Sequence, residues 1–410
     1  MNLHSPRQVK DDVFLNHYLL FVFISAFIFF LQNFLSESDF KFGIFIPDVS
    51  KMSQTLDYIN EGSTDAISSG FFGIYLIYKP AWIIHPAFCI IINLIFIYYS
   101  FKLIRDVFVI NGHLKSVVYW GLLLNPYLFL AVTGPNKEIP LIFGTLYILK
   151  VLILKPRLGL LKACLLLFFM FFIRDGYAVI LALSLILFSS SWGSSKRKFL
   201  LGILFLSLVA VSIDWVFENL TVFERNVILS QTIGQDQNSS AFIGDFLTSN
   251  NGFIASIFKY LIRFIYNSFT LGLYPVIFST NGSIYLLGMA YWFFGITVAL
   301  CVITIGYIHF KRIIHNSPSP ELFHKITYWS CFVLLAISVS LFIQPRYFMP
   351  VLPILFPLFC LASLKIRVKL SLLVLAFVML WITSYSVLGK PMGMVDFTKS
   401  EFLSPSFLIG

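Results

Sequence analysis

From Trp120 to Val132 the chain is apolar apart from Asn125, and after one polar interruption, Thr133-Gly134-Pro135-Asn136-Lys137-Glu138-Ile139-Pro140, it is almost wholly apolar again to Leu154. A lysine and a glutamate are costly inside hydrocarbon. The two halves of this run are therefore expected to be membrane helices that meet at a bilayer face, with Lys137 and Glu138 in the turn. Comparable apolar runs recur along the chain. With 58% hydrophobic, 18% aromatic and 12% charged residues in 410, too little polar surface remains to cover a soluble domain. The expected class is an all-α, polytopic integral membrane protein in one domain spanning 1–410.

The segments read as 13–31, 83–101, 116–133, 138–154, 199–217, 284–308, 326–343, 347–364 and 370–388. Between Lys155 and Lys198 lies a further apolar stretch broken at Arg174-Asp175-Gly176. Its halves, 160–173 and 177–190, either both cross or form a re-entrant pair, and both arrangements bring Arg174 to the same face. Counting both gives eleven segments. The first follows Arg7 and Lys10 without a small-residue cleavage site and reads as an uncleaved span.

Lysine and arginine set the orientation. Lys102, Arg105, Lys115, Lys155, Arg157, Lys162, Lys196, Arg197, Lys198, Lys311, Arg312, Lys325, Lys365, Arg367 and Lys369 collect on one face with the N-terminus, which is expected to be cytoplasmic. Most acids fall opposite. The net charge of +10 thus follows from topology, and no nucleic-acid partner is expected. The outer face carries loops at about 32–78 and 218–282, three tight turns and a C-terminal tail at 389–410. Within the larger loop, Lys259 and Arg263 on one face of apolar 253–273 suggest an interfacial helix. The five cysteines fall inside apolar runs and read as small core residues. No internal repeat and no nucleotide-binding glycine loop is present.

Three outer-face cations sit in or beside tight turns: Lys137, Arg174 and Arg346. Guanidinium forks and a lysine point charge suit a phosphate or diphosphate. The competing reading is headgroup anchoring, or pairing with Glu138 and Asp175. The first outer loop supplies Asp48, Asp57, Glu61 and Asp65, of which Asp48 and Asp57 are candidates to deprotonate a sugar hydroxyl. Glu61 and Asp65 fit the wet face of a surface helix. In Gln344-Pro345-Arg346-Tyr347-Phe348-Met349-Pro350-Val351-Leu352-Pro353, repeated prolines deny helical hydrogen bonds and leave carbonyls to line a cavity. Histidines are too scattered across the two faces to form an outer metal cluster.

Asn125-Pro126-Tyr127 followed by Gly134-Pro135-Asn136-Lys137-Glu138 resembles the Asn-Pro … Lys-Glu/Asp hairpin of Wzy-like O-antigen polymerases and of the related C-superfamily (GT-C) lipid-sugar glycosyltransferases. Arg346-Tyr347 with Pro350 and Pro353 resembles the Arg-Tyr-x-x-Pro element of that group, which often has a first-loop aspartate where Asp48 or Asp57 stands. The paired acidic signature of the best-known lipid-sugar transferases is not clear after the first span. The large outer loop lacks the histidine of an O-antigen ligase.

The resemblance implies a bacterial inner-membrane polymerase of lipid-linked oligosaccharide repeat units, for O-antigen or capsule, with its N-terminus cytoplasmic and its C-terminus periplasmic. A polyprenyl-diphosphate-linked glycan would lie against Lys137, Arg174, Arg346 and Tyr347, with Asp48, Asp57 or Glu138 as base. It implies no nucleotide or redox cofactor and does not demand a metal. A chain-length regulator and a flippase are its implied partners besides lipid. Two alternatives are a GT-C transferase using a polyprenyl-phosphate sugar and a lipid-linked sugar flippase. The second predicts more intramembrane charge or two repeated halves.

Overall fold

A computed structural model describes residues 12–36, 56, 72–108, 117–191, 193–219, 258, 261, 286–312, 320–339 and 345–387. Asp48, Asp57, nearly all of the larger outer loop and the C-terminal tail lie outside them. The described residues form helices and turns only, which establishes the all-α class. The helices are α1 (Asp12–Ser36), α2 (Phe72–Ile84), α3 (Cys89–Phe108), α4 (Trp120–Leu123), α5 (Pro126–Ala131), α6 (Glu138–Leu154), α7 (Gly159–Ile173), α8 (Asp175–Ser189), α9 (Ser195–Asn219), α10 (Leu286–Phe310), α11 (Pro320–Ile337), α12 (Leu352–Cys360) and α13 (Leu364–Val387).

Prolines decide where the apolar runs break. The residue before a proline is disfavoured in the α region, and His85, before Pro86, is extended at φ −171°. The segment expected at 83–101 therefore begins at Pro86 and runs to Phe108. Phe72–Ile84, expected as the end of an outer loop, is a separate apolar helix. Asn125, before Pro126, splits the 116–133 segment in the same way, and its Oδ1 accepts from Leu128 N–H at 3.2 Å to cap α5. Lys155, before Pro156, ends α6 in the left-handed region at φ 45°. Arg174 is extended at ψ 95° and separates α7 from α8, which pack against each other.

Helix α6 is the centre of the bundle. It packs against α3, α7 and α8, while α8 and α9 pack on α11 and α12 packs against α4, α10 and α11. Helix α2 closes on α7 at Gly73, where a Cβ would stand 2.7 Å from the backbone N of Ile173. Val13–Leu31 and Pro86–Phe108 are long and apolar enough to cross a membrane, and the apolar helices Phe72–Ile84, Gly159–Ile173, Asp175–Ser189 and Gly295–Phe310 are shorter. Large apolar side chains face outward on α7 (Leu161, Leu165, Phe168), α9 (Leu201, Leu204, Leu208) and α13 (Leu372, Leu373, Leu380).

Candidate functional site: an arginine between a buried glutamate and a tyrosine

The turn that opens α6 is built by its own asparagine and by two residues of other helices. Asn136 Oδ1 accepts from the N–H of Glu138 at 2.7 Å, satisfying a donor at the helix start. Asn93, in the second turn of α3, donates through Nδ2 to the carbonyls of Val132 at 2.9 Å and Gly134 at 2.7 Å. Tyr78 of α2 directs its single hydroxyl proton between Asn93 Oδ1 at 2.5 Å and the Asn136 carbonyl at 2.9 Å. All three side chains are fully buried. Every bond they make fixes the backbone that carries Lys137 and Glu138.

Three residues distant in sequence then meet at that turn. Glu138, 2% exposed in its side chain, places Oε1 3.7 Å from Nη1 of Arg174, which is 22% exposed. At that separation the pair is Coulombic and too long for a hydrogen bond. On its other side the Arg174 guanidinium lies 3.6 Å from the ring centroid of Tyr347, within cation–π range. Tyr347 belongs to a 3-10 turn, Pro345–Phe348, that packs against α10 and α11. A guanidinium carries five N–H donors. Flanked by an acid and a ring yet partly open, it is oriented to present donors to an anion.

Neighbouring bonds hold the arginine's helix in place. Thr145 Oγ1 donates to the Leu141 carbonyl at 2.6 Å, so the Tyr177 hydroxyl, 3.1 Å away, donates to Thr145 and ties α8 to α6. Asp175, the other expected partner of Arg174, is exposed, and its Oδ1 accepts from the Gly176 N–H at 2.7 Å. The pairing with Glu138 is the one that forms. Lys137 is half-buried at the start of α6.

Of the residues singled out from sequence, Glu138, Arg174 and Tyr347 come together here, and Lys137 precedes Glu138 in the chain. Arg346 is the second residue of the Pro345–Phe348 turn, adjacent to Tyr347; its side chain, like Asp48 and Asp57, lies outside the described residues. Leu56, next in the chain to Asp57, is buried, and its carbonyl accepts from Lys79 Nζ at 2.9 Å. Lys79 follows Tyr78, so the middle of α2 holds both Leu56 and the turn before Glu138.

Sequence reasoning passed over Asn93 and Tyr78. The available signal was an asparagine inside an apolar run, since a polar side chain at such a depth needs partners. Among the described residues, no group of three or more His, Cys, Asp or Glu side chains is placed to hold a metal ion. Comparison with protein-family models, with curated proteins and with solved structures finds no match.

Proposed function

We propose that the chain is a polytopic enzyme of the bacterial inner membrane that polymerises lipid-linked oligosaccharide repeat units at the outer face. The membrane reading is supported by the composition, the two helices long enough to cross, and the apolar faces of α7, α9 and α13 turned outward, which suit lipid and are costly in water. The eleven-segment arrangement with a cytoplasmic N-terminus and a periplasmic C-terminus rests on the distribution of lysine and arginine.

The observation that carries the enzymatic reading is the convergence on Arg174 of Glu138 and Tyr347. It joins the two motifs, Lys137-Glu138 and Arg346-Tyr347, that resemble the polymerase group. In this reading Arg174, Lys137 and Arg346 bind the diphosphate of a polyprenyl-linked glycan. A hydroxyl oxygen of the acceptor repeat unit attacks the anomeric carbon, its proton passes to a carboxylate, and the carbon–oxygen bond to the diphosphate breaks. The polyprenyl diphosphate leaves with the electron pair, and the cations stabilise that charge.

Glu138 is nearly fully buried and faces Arg174, so it serves best as a positioning residue for the guanidinium. The base then falls to the first-loop acids. Asp57 is favoured over Asp48 because it follows Leu56, which α2 ties to the same scaffold as the Lys137–Glu138 turn.

The test is the surface polysaccharide profile of a deletion strain with and without the restored gene. Collapse of the long-chain ladder to core plus one repeat unit is expected. A ladder that persists with every rung shifted by one sugar refutes polymerisation in favour of a single-sugar transferase, and loss of all repeat units at the outer face refutes it in favour of transport.

A further inference from the structure

The opposite end of α6 holds a second group of cations that the proposed reaction does not use. Lys325, near the start of α11, donates Nζ to the Leu152 carbonyl at 2.6 Å, in the last turn of α6. Lys198, in the first turn of α9, donates to the carbonyls of Phe188 at 3.3 Å and of Ser190, at the end of α8. Lys155 caps α6 and is exposed. Helices α8 and α9 both pack on α11, and α6 packs on α8, so these helix ends share one face.

The charge of Lys155 is felt at both of the other ammonium groups. Burial, and after it the charges of Lys155 and Lys198, lower the proton affinity of Lys325, with Glu321 opposing in part. Burial and then Lys155 lower that of Lys198. An ammonium has three donors. One bond from Lys325 and two from Lys198 therefore leave donors on both, already held in place by carbonyls.

The start of α9 adds to the imbalance. Ser195-Lys196-Arg197-Lys198 contributes three cations and no acid to its first turn, the end at which a helix dipole favours negative charge. A topological excess of basic residues would be met by solvated side chains on loops. It does not require lysines pinned to helix ends within reach of each other's charge.

We infer that Lys155, Lys198 and Lys325, with the start of α9, form a binding site for a phosphate group, carried by an acidic phospholipid headgroup or free in solution. The site does not depend on the transferase reading. Only the lipid source depends on the chain lying in a bilayer.

The test uses the full-length protein, purified and delipidated in a neutral detergent. Phosphatidylglycerol, phosphatidylcholine and inorganic phosphate are each titrated, with bound ligand read by native mass spectrometry and stability by the thermal unfolding midpoint. Phosphatidylglycerol is expected to bind and raise the midpoint where phosphatidylcholine does not. Lys155→Gln, which alters an exposed side chain, weakens that binding about fivefold, as the loss of one lysine near an anionic surface should. Lys155→Arg restores it, and Lys102→Gln, exposed on α3, leaves it unchanged. The same pattern with inorganic phosphate alone identifies free phosphate as the ligand. The inference is overturned if neither anion outperforms phosphatidylcholine, or if Lys102→Gln weakens binding as much as Lys155→Gln.

Discussion

Replacing Asn93 by leucine tests whether the turn before Glu138 is held from α3. Leucine keeps the branched skeleton of asparagine and suits an apolar helix, but its methyls are larger than the amide atoms they replace and crowd the two carbonyls and Tyr78, which adds to the loss. What is lost is both Nδ2 donors, leaving the carbonyls of Val132 and Gly134 without the bonds they accept at 2.9 and 2.7 Å. A buried acceptor stripped of its partner costs about 1–3 kcal/mol, which brackets the pair at about 2–6 kcal/mol. Tyr78 retains the Asn136 carbonyl as an acceptor, so its hydroxyl adds little. We expect a loss near the lower half of that range, about 3 kcal/mol, or roughly two orders of magnitude in the folding equilibrium. The assay is denaturant-induced unfolding of the purified protein in micelles. Tyr78→Phe is measured alongside, and the Asn93→Leu/Tyr78→Phe double variant completes the cycle. Because both residues serve one network, the double variant should lose less than the sum of the singles. A loss for Asn93→Leu below about 0.5 kcal/mol, or strict additivity in the cycle, would refute the clamp.

If Glu138 only positions Arg174, Glu138→Gln lowers activity yet leaves the shape of the pH–rate profile unchanged; loss of the acidic limb would instead make it the base. Tyr347→Phe keeps the ring under Arg174, whereas Tyr347→Leu removes a cation–π contact worth about 0.5–2 kcal/mol, so turnover with a lipid-linked substrate should fall further in the leucine variant, by up to about thirtyfold more. Gly73→Ala places a Cβ against the backbone of Ile173 and Phe172 and should cost about 1–3 kcal/mol in unfolding. Gly144→Ala meets only the flexible end of Met170 and should cost under about 1 kcal/mol; equal losses would show that the close approach of α2 to α7 is not rigid. Lys325 has its proton affinity lowered by burial and by Lys155 and Lys198. The unfolded chain therefore keeps a proton that the folded one sheds as pH rises toward the ordinary lysine value of 10.5, and wild type should gain stability with pH relative to Lys325→Met over that window.

The periodic breaks in hydrophobicity made the helical class and most of the breakpoints legible. Proline explains the accuracy at Lys155-Pro156, where the expected segment 138–154 ends. It also explains the errors at His85-Pro86 and Asn125-Pro126, where a single apolar register was drawn across a residue that the following proline ring disfavours in the helical region. Charge placed Lys137, Glu138 and Arg174 at turns because a charge in an apolar run has few alternatives. Which charge meets which was not legible. Arg174 had an adjacent acid in Asp175, but it turns to Glu138 on another helix and to Tyr347, 173 residues further on. Such choices depend on how α6, α8 and the Pro345–Phe348 turn pack, and no local pattern encodes that.

The stretch with the weakest local signal turns out to organise the site. Helix α2 was expected to be the end of an outer loop, yet three of its positions each perform a separate task. Gly73 lets α2 come into contact with α7 at Ile173, the residue before Arg174. Tyr78 binds the Asn136 carbonyl and so fixes the turn that precedes Glu138. Lys79 binds the Leu56 carbonyl beside Asp57. A displacement of α2 would therefore move the arginine, the glutamate turn and the first-loop segment together. Changes at Gly73 or Tyr78 should thus behave like changes at the site itself, reducing activity beyond what the lost stability accounts for, although neither residue carries a group suited to bind phosphate.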